Sequence, residues 1–301
     1  MSQSAPRFLL AAQCVVRKGV TLAEIAVVMA LMGVLGGAVG LTLLRQQRFY
    51  RATTELLHAR EGVRDALELL STDIRGMSTT DTLRLVADSA IELFANIGSS
   101  IVCHTDGGIG VGLPAGSSGR GNAFTTFLVQ PDSGDIAVFH RDSLDGESEW
   151  ERHKIAAFGA RPPGTACPGF VVDLATPLSP HVKTSAPVRF IRRGRYSLYH
   201  ASDGRWYLGY RRCNAVGASV CGAIQPLSGP YRDYSSNPRS TGLLFEYFDA
   251  SGARLTPGGS PLAIARVDVT ARAESRQRIV VEGRVNAPSD SATVAIAIRN
   301  R

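Results

Sequence analysis

The sequence predicts an α+β fold, a long N-terminal helix packed on an antiparallel, β-rich globular domain, and three observations predict it. An uninterrupted apolar run fills residues 20–44. An amphipathic stretch with apolar residues three or four apart carries the helix on to residue 77. From about residue 83 the pattern changes to short β-type runs separated by turn residues.

The apolar run reads VTLAEIAVVMALMGVLGGAVGLTLL, broken in polarity only by Thr21, Glu24 and Thr42. As a helix it extends about 37 Å, enough to cross a bilayer. Arg17 and Lys18 stand just before it, so the positive-inside tendency leaves residues 1–19 in the cytoplasm and sends the remainder outward. Arg45 and Arg48 on the far side weaken that bias. A carboxylate such as Glu24 inside an apolar span costs about 2.5 kcal/mol or more unless it is hydrated at headgroup level or paired with a positive charge. Gly33, Gly36, Gly37 and Gly40 each lower helix propensity by up to about 1 kcal/mol relative to alanine and permit close helix contacts.

Beyond the span, Phe49, Ala52, Leu56, Ala59, Val63, Ala66, Leu70, Ile74 and Met77 recur on one helical face. The spacing predicts a single rod from residue 20 to about 76, roughly 85 Å long. Its outer half carries one apolar stripe that needs a globular partner. Gly76 and the polar run Ser78, Thr79, Thr80, Asp81 supply the stop.

The β-type runs are LRLVAD, AIELFA, SSIVC, FTTFLVQ, DIAVFH, FVVDL and VRFIRR. The clearest hairpin joins residues 196–200 to 205–211 through Asp203 and Gly204, a dipeptide suited to positive φ. Further strands are expected at residues 242–248, 262–271, 278–285 and 292–298. Residues 107–121, GGIGVGLPAGSSGRG, are expected to form a surface loop; they lack the GK[ST] of a phosphate cradle.

At 301 residues, 44% hydrophobic and 20% charged, the chain is too apolar for disorder. Residues 1–19 hold Arg7, Arg17, Lys18 and no acid, so their removal takes the net charge from +7 to +4. That is too mild to indicate a nucleic-acid partner, and the arginines are scattered. No HExxH, no GxSxG and no histidine pair at metal spacing occurs, which points to no catalytic residues, no metal and no cofactor. His104 follows Cys103, but one adjacent pair does not make a metal site. Past residue 19 the cysteines are Cys103, Cys167, Cys213 and Cys221, an even number without a CxxC pair, as expected of two disulfides in an oxidising compartment. Four cysteines allow three connectivities. The short, glycine-containing interval between Cys213 and Cys221 favours that bridge, with Cys103 and Cys167 forming the other.

The stretch Arg17, Lys18, Gly19, Val20, Thr21, Leu22, Ala23, Glu24, followed by apolar residues, resembles the class III signal of type IV prepilins and type II secretion pseudopilins. Val20 stands where that family usually has phenylalanine, and Ala23 where it has a larger aliphatic residue. The resemblance implies cleavage after Gly19 by a membrane prepilin peptidase, N-methylation of Val20, and use of Glu24 in docking to the Val20 α-amino group of a neighbouring subunit. Gln46, Gln47, Arg48, Phe49, Tyr50, Arg51 and the later ALELLSTDIRGM resemble the helix of PilW-type minor pilins and J-type pseudopilins.

The resemblance divides the chain into a leader (1–19), a transmembrane and filament-core helix (20–44), its amphipathic continuation (45–77) and a pilin domain (78–301), whose last two expected strands match the closing strands of a pilin-like sheet. The implied role is that of a non-enzymatic minor subunit in pilus initiation or at the tip. Implied partners are the prepilin peptidase, major and minor pilins, the inner-membrane assembly platform and, before assembly, the membrane itself. Before assembly the chain would be a single-pass inner-membrane protein with a periplasmic domain; afterwards it would lie in a pilus or pseudopilus. A J-type pseudopilin is the alternative within the family. A single-span anchored adhesin or binding protein that never polymerises is the alternative outside it.

Overall fold

The computed structural model describes residues 19, 21–77, 83–115, 124–142, 148–161, 167–217, 220–275, 279–281 and 284–298. Val20 and residues 116–121 of the glycine-rich stretch lie outside them. The chain divides into two compact units, residues 1–51 and residues 52–301. One helix, α1 (Leu22–Gly76), contributes its first part to one unit and its last part to the other.

In the first unit α1 is the only described helix or strand, and its four glycines do not interrupt it. The large apolar side chains from Leu22 to Tyr50 are all more than half exposed. Thr42 turns its hydroxyl back to the Ala38 carbonyl at 2.9 Å, so this polar group is satisfied within the helix, as an apolar surrounding requires. Among the described residues this is the one helix long and apolar enough to cross a membrane.

Among its described residues the second unit joins the end of α1 to seventeen strands, the first eight being β1 (Leu85–Val86), β2 (Ala90–Ile101), β3 (His104–Asp106), β4 (Gly110–Pro114), β5 (Thr126–Phe127), β6 (Ile136–Asp142), β7 (Ser148–Arg161) and β8 (Gly169–Leu174). The remainder are β9 (Pro187–His200), β10 (Trp206–Arg212), β11 (Gln225–Tyr231), β12 (Leu243–Phe248), β13 (Arg254–Leu255), β14 (Arg266–Glu274), β15 (Ile279–Val281), β16 (Arg284–Asn286) and β17 (Ser289–Ala297). Fifteen belong to one antiparallel network, and β15 and β16 form a separate hairpin. This is the α+β layout expected, an apolar N-terminal helix followed by a large antiparallel sheet domain.

The spine of the network is β9. One edge pairs with β2 from Pro187 to Ser197, and the other pairs first with β6 and then with β10. The β9–β10 hairpin turns at Asp203 and Gly204, where Gly204 takes φ +77° and the Asp203 carboxylate accepts the Arg205 amide at 3.1 Å.

Alternation along β9 distributes the cores. Tyr196 and Leu198 join the first, Val188 and Phe190 point from the same face into the second, and Ile191 points oppositely into a third. In the first core Ala59, Val63, Ala66, Leu70, Ile74 and Met77 of the predicted stripe are buried against Leu93, Leu208, Phe245 and Val269, among others. Each buried Leu or Ile side chain there contributes about 1.5–3 kcal/mol.

Several expectations fail locally. Phe49, the start of the predicted stripe, is 68% exposed, so the buried part of the stripe begins only at Ala59. The first half of the glycine-rich stretch is no loop: residues 110–114 are β4, hydrogen-bonded between β3 and β8, with Val111 and Leu113 buried. The expected strand at 278–285 is instead the β15–β16 hairpin, with Val280 opposite Val285. A fourteen-residue strand, β7, has no counterpart among the expected runs.

Candidate functional site

The first turn of a helix leaves backbone N–H groups without intrahelical partners. At the start of α1 Thr21 and Glu24 satisfy them reciprocally. Glu24 Oε2 accepts the Thr21 amide at 3.1 Å and its hydroxyl at 3.3 Å, while Thr21 Oγ1 accepts the Glu24 amide at 3.3 Å. This is a capping box, and it places a carboxylate beside the positive end of the helix dipole. Gly19 lies two residues before the cap, exposed and with open space on its Cβ side. Val20, the residue between, is outside the described residues. The arrangement therefore places an exposed Gly19 two residues before a helix start whose carboxylate is held in position by the turn it caps. It also leads straight into the apolar surface of residues 22–51.

The cysteines lie elsewhere. Cys103, just after β2, is bonded to Cys167, just before β8. Cys213 faces Cys221 in an antiparallel bridge and is bonded to it, closing the turn after β10. Glu92, Cys213 and Cys221 bring one oxygen and two sulfurs within 4.8 Å of one another. The sulfurs are consumed by the disulfide, and the carboxylate by guanidiniums. Glu92 Oε1 accepts from Arg193 at 2.6 Å and Oε2 from Arg195 at 2.9 Å, with Glu92 only 1% exposed. These residues make a buried ion group, not a metal site. His104 pairs with Asp106 at 2.6 Å on the surface, and its neighbour Cys103 is disulfide-bonded.

A second buried carboxylate, Asp135, binds Arg192 at 2.6 Å and Arg212 at 3.0 Å. Beside them lies a groove of about 600 Å³ between the 65–73 turns of α1 and the sheet, lined by Leu69, Asp73, Ile97, Leu128, Tyr196 and Tyr210, among others. Tyr196 donates its hydroxyl to the Asp73 carboxylate. Burial raises the Asp73 carboxyl above its ordinary value, against the lowering effect of that hydrogen bond, and burial also pushes the Tyr196 hydroxyl upward.

Sequence reasoning singled out Gly19 and Glu24 but not Thr21, although the T-x-x-E spacing of a capping box was there to see. It also missed the Glu92 and Asp135 ion groups, whose partners are 101 and 103 positions away for Glu92 and 57 and 77 for Asp135 and leave no local signal. Comparison with known proteins gives no match: no family model matches the chain, nor does any curated protein or solved structure.

Proposed function

We propose that this chain is a minor pilin subunit, made as a single-pass inner-membrane precursor, cut after Gly19 and assembled through α1 into a type IV pilus. The observation that carries the reading is the exposed apolar surface of α1, more than half exposed at every large apolar side chain from Leu22 to Tyr50 and preceded at once by Gly19 and the Glu24 cap. Such a surface requires apolar cover along its length. A bilayer supplies it before assembly, and the apolar helices of neighbouring subunits supply it afterwards. Cleavage would free an α-amino group at Val20, the positive partner that a buried Glu24 carboxylate needs. The two disulfides fit an exported domain.

The test is N-terminal mass spectrometry of the protein from its native host. The mature chain is expected to begin at Val20 and to carry an N-methyl group. An intact leader, or a cut far from Gly19, overturns the prepilin reading and leaves a permanently anchored protein.

A further inference from the structure

The groove between the 65–73 turns of α1 and the sheet holds about 600 Å³, inside the roughly 300–1,000 Å³ range of ligand sites, and its lining is mostly apolar. Four of its apolar side chains come from three separate segments and stay open to solvent. They are Leu69 of α1, Leu128 and Val129 just after β5, and Leu227 of β11, between 37% and 78% exposed. Single exposed apolar residues are ordinary, but four that converge on one concavity form a patch of the kind that partners cover.

On the helix wall Asp65, Leu69, Thr72 and Asp73 fall at i, i+4, i+7 and i+8, so they share one face over two turns. Asp65 and Asp73 are then separated by a rise of about 12 Å. Asp73 is half-buried and accepts the Tyr196 hydroxyl, but no cation offsets the burial that raises its carboxyl. Arg192 also lines the groove, yet its guanidinium is spent on both oxygens of Asp135, at 2.9 and 2.6 Å. At the other end Asp65 is exposed, and Glu68 meets Arg64 only at 3.9 Å on the surface. An apolar concavity with negative charge at each end is the result.

We propose that this groove docks an extended segment of a partner protein, which aims two basic side chains at Asp65 and Asp73 and an apolar side chain between them at Leu69, Leu128 and Leu227. Charge complementarity selects that occupant. An acidic segment adds like charge, a wholly apolar one leaves Asp73 without a counter-ion, and a single small amine reaches one carboxylate and leaves the apolar rim bare. In an extended chain, side chains two positions apart share a face, so basic residues about four positions apart span the interval between the carboxylates. A two-turn helix occupies roughly 1,000 Å³, more than the groove holds. The inference uses residues of the second unit alone and stands whether or not the chain is cut after Gly19.

The full-length protein in phosphatidylcholine nanodiscs is titrated calorimetrically with the end-blocked peptide KSLTK, whose two lysines and leucine share one face when extended, and with empty nanodiscs as the blank. KSLTK is expected to bind, and ESLTE and n-butylamine are not. Asp65→Asn and Asp73→Asn are each expected to weaken KSLTK binding about fivefold, as is Leu227→Gln at its exposed position. Asp73→Asn keeps an acceptor for Tyr196, and Asp65 and Leu227 lie at the surface, so these variants test binding in a folded domain. Asp173→Asn removes the same charge from an exposed position in β8, away from the groove, and is expected to bind like wild type. Failure of KSLTK to bind at millimolar concentration overturns the proposal. So does equal binding of ESLTE or n-butylamine, equal weakening by Asp173→Asn, or wild-type binding by both Asp65→Asn and Asp73→Asn.

Discussion

The phenolic oxygen of Tyr231 in β11 donates a 2.6 Å hydrogen bond to the main-chain carbonyl of Gly62 in α1, and it lies 2.6 Å from the Ser228 hydroxyl. A buried hydroxyl with two partners is costly to remove, because the partners remain buried after it has gone. Tyr231→Phe is therefore expected to destabilise the folded domain by about 1 kcal/mol, a fall of roughly 2–4 °C in melting temperature for a unit of this size. Thermal denaturation followed by circular dichroism measures it; an unchanged or raised melting temperature would show that the bond contributes nothing.

Glu24 has two separable properties, its charge and its place in the capping box. Glu24→Gln keeps an acceptor for the Thr21 amide but removes the charge, whereas Thr21→Ala weakens the cap and keeps the charge. If Glu24 serves assembly, both Glu24→Gln and Glu24→Ala should be depleted from sheared filaments while Thr21→Ala is incorporated normally. Normal incorporation of Glu24→Gln would assign the carboxylate to capping alone.

The two disulfides close loops of different size, with sequence separations of 64 and 8. Loop-closure entropy then makes Cys103–Cys167 worth about 4 kcal/mol and Cys213–Cys221 about 2.5 kcal/mol. Paired serine substitutions should destabilise in that order by urea titration. Non-reducing peptide mapping should recover the two bridges and no Cys103–Cys221 peptide.

Asp73 sets a pH dependence. Its carboxyl is raised above the ordinary 3.8, chiefly by burial, so between that value and its folded value the folded chain binds more protons than the unfolded one. Stability from this group is therefore fullest below the unfolded value and is lost as pH rises through the folded value. Asp73→Asn, which still accepts the Tyr196 hydroxyl, should be more stable than wild type at pH 7, and the two should converge at about pH 3. A variant less stable than wild type at both pH values would contradict the assignment.

The elements legible in the sequence were those whose signal is local. The stripe from Ala59 to Met77 announced itself by spacing, as did the β9–β10 hairpin by its Asp203–Gly204 turn. In β7 the positions on either side alternate Trp150, Arg152, Lys154 with Glu151, His153, Ile155, so charge hides the period, and the strand is held by main-chain pairing with β6 and β8. In β4 the glycines suggested a loop, whereas Val111 and Leu113 use them as spacers in a buried strand. At the α1 terminus Gly19 and Glu24 stood out by motif. The ion group of Glu92 with Arg193 and Arg195 did not, because its members meet only after β2 and β9 have paired.

The position of β17 bears on how the domain is made. It pairs with β14 along nine consecutive positions, from Arg266 opposite Ala297 to Glu274 opposite Ser289, and it brings Ile296 into the first core. β14 has β12 on its other side, so it is an interior strand only once β17 is in place. Because β17 follows β14 in the chain, a polypeptide that lacks β17 shows that side of β14 as a bare edge with unpaired N–H and C=O groups, the template on which strands of other molecules add.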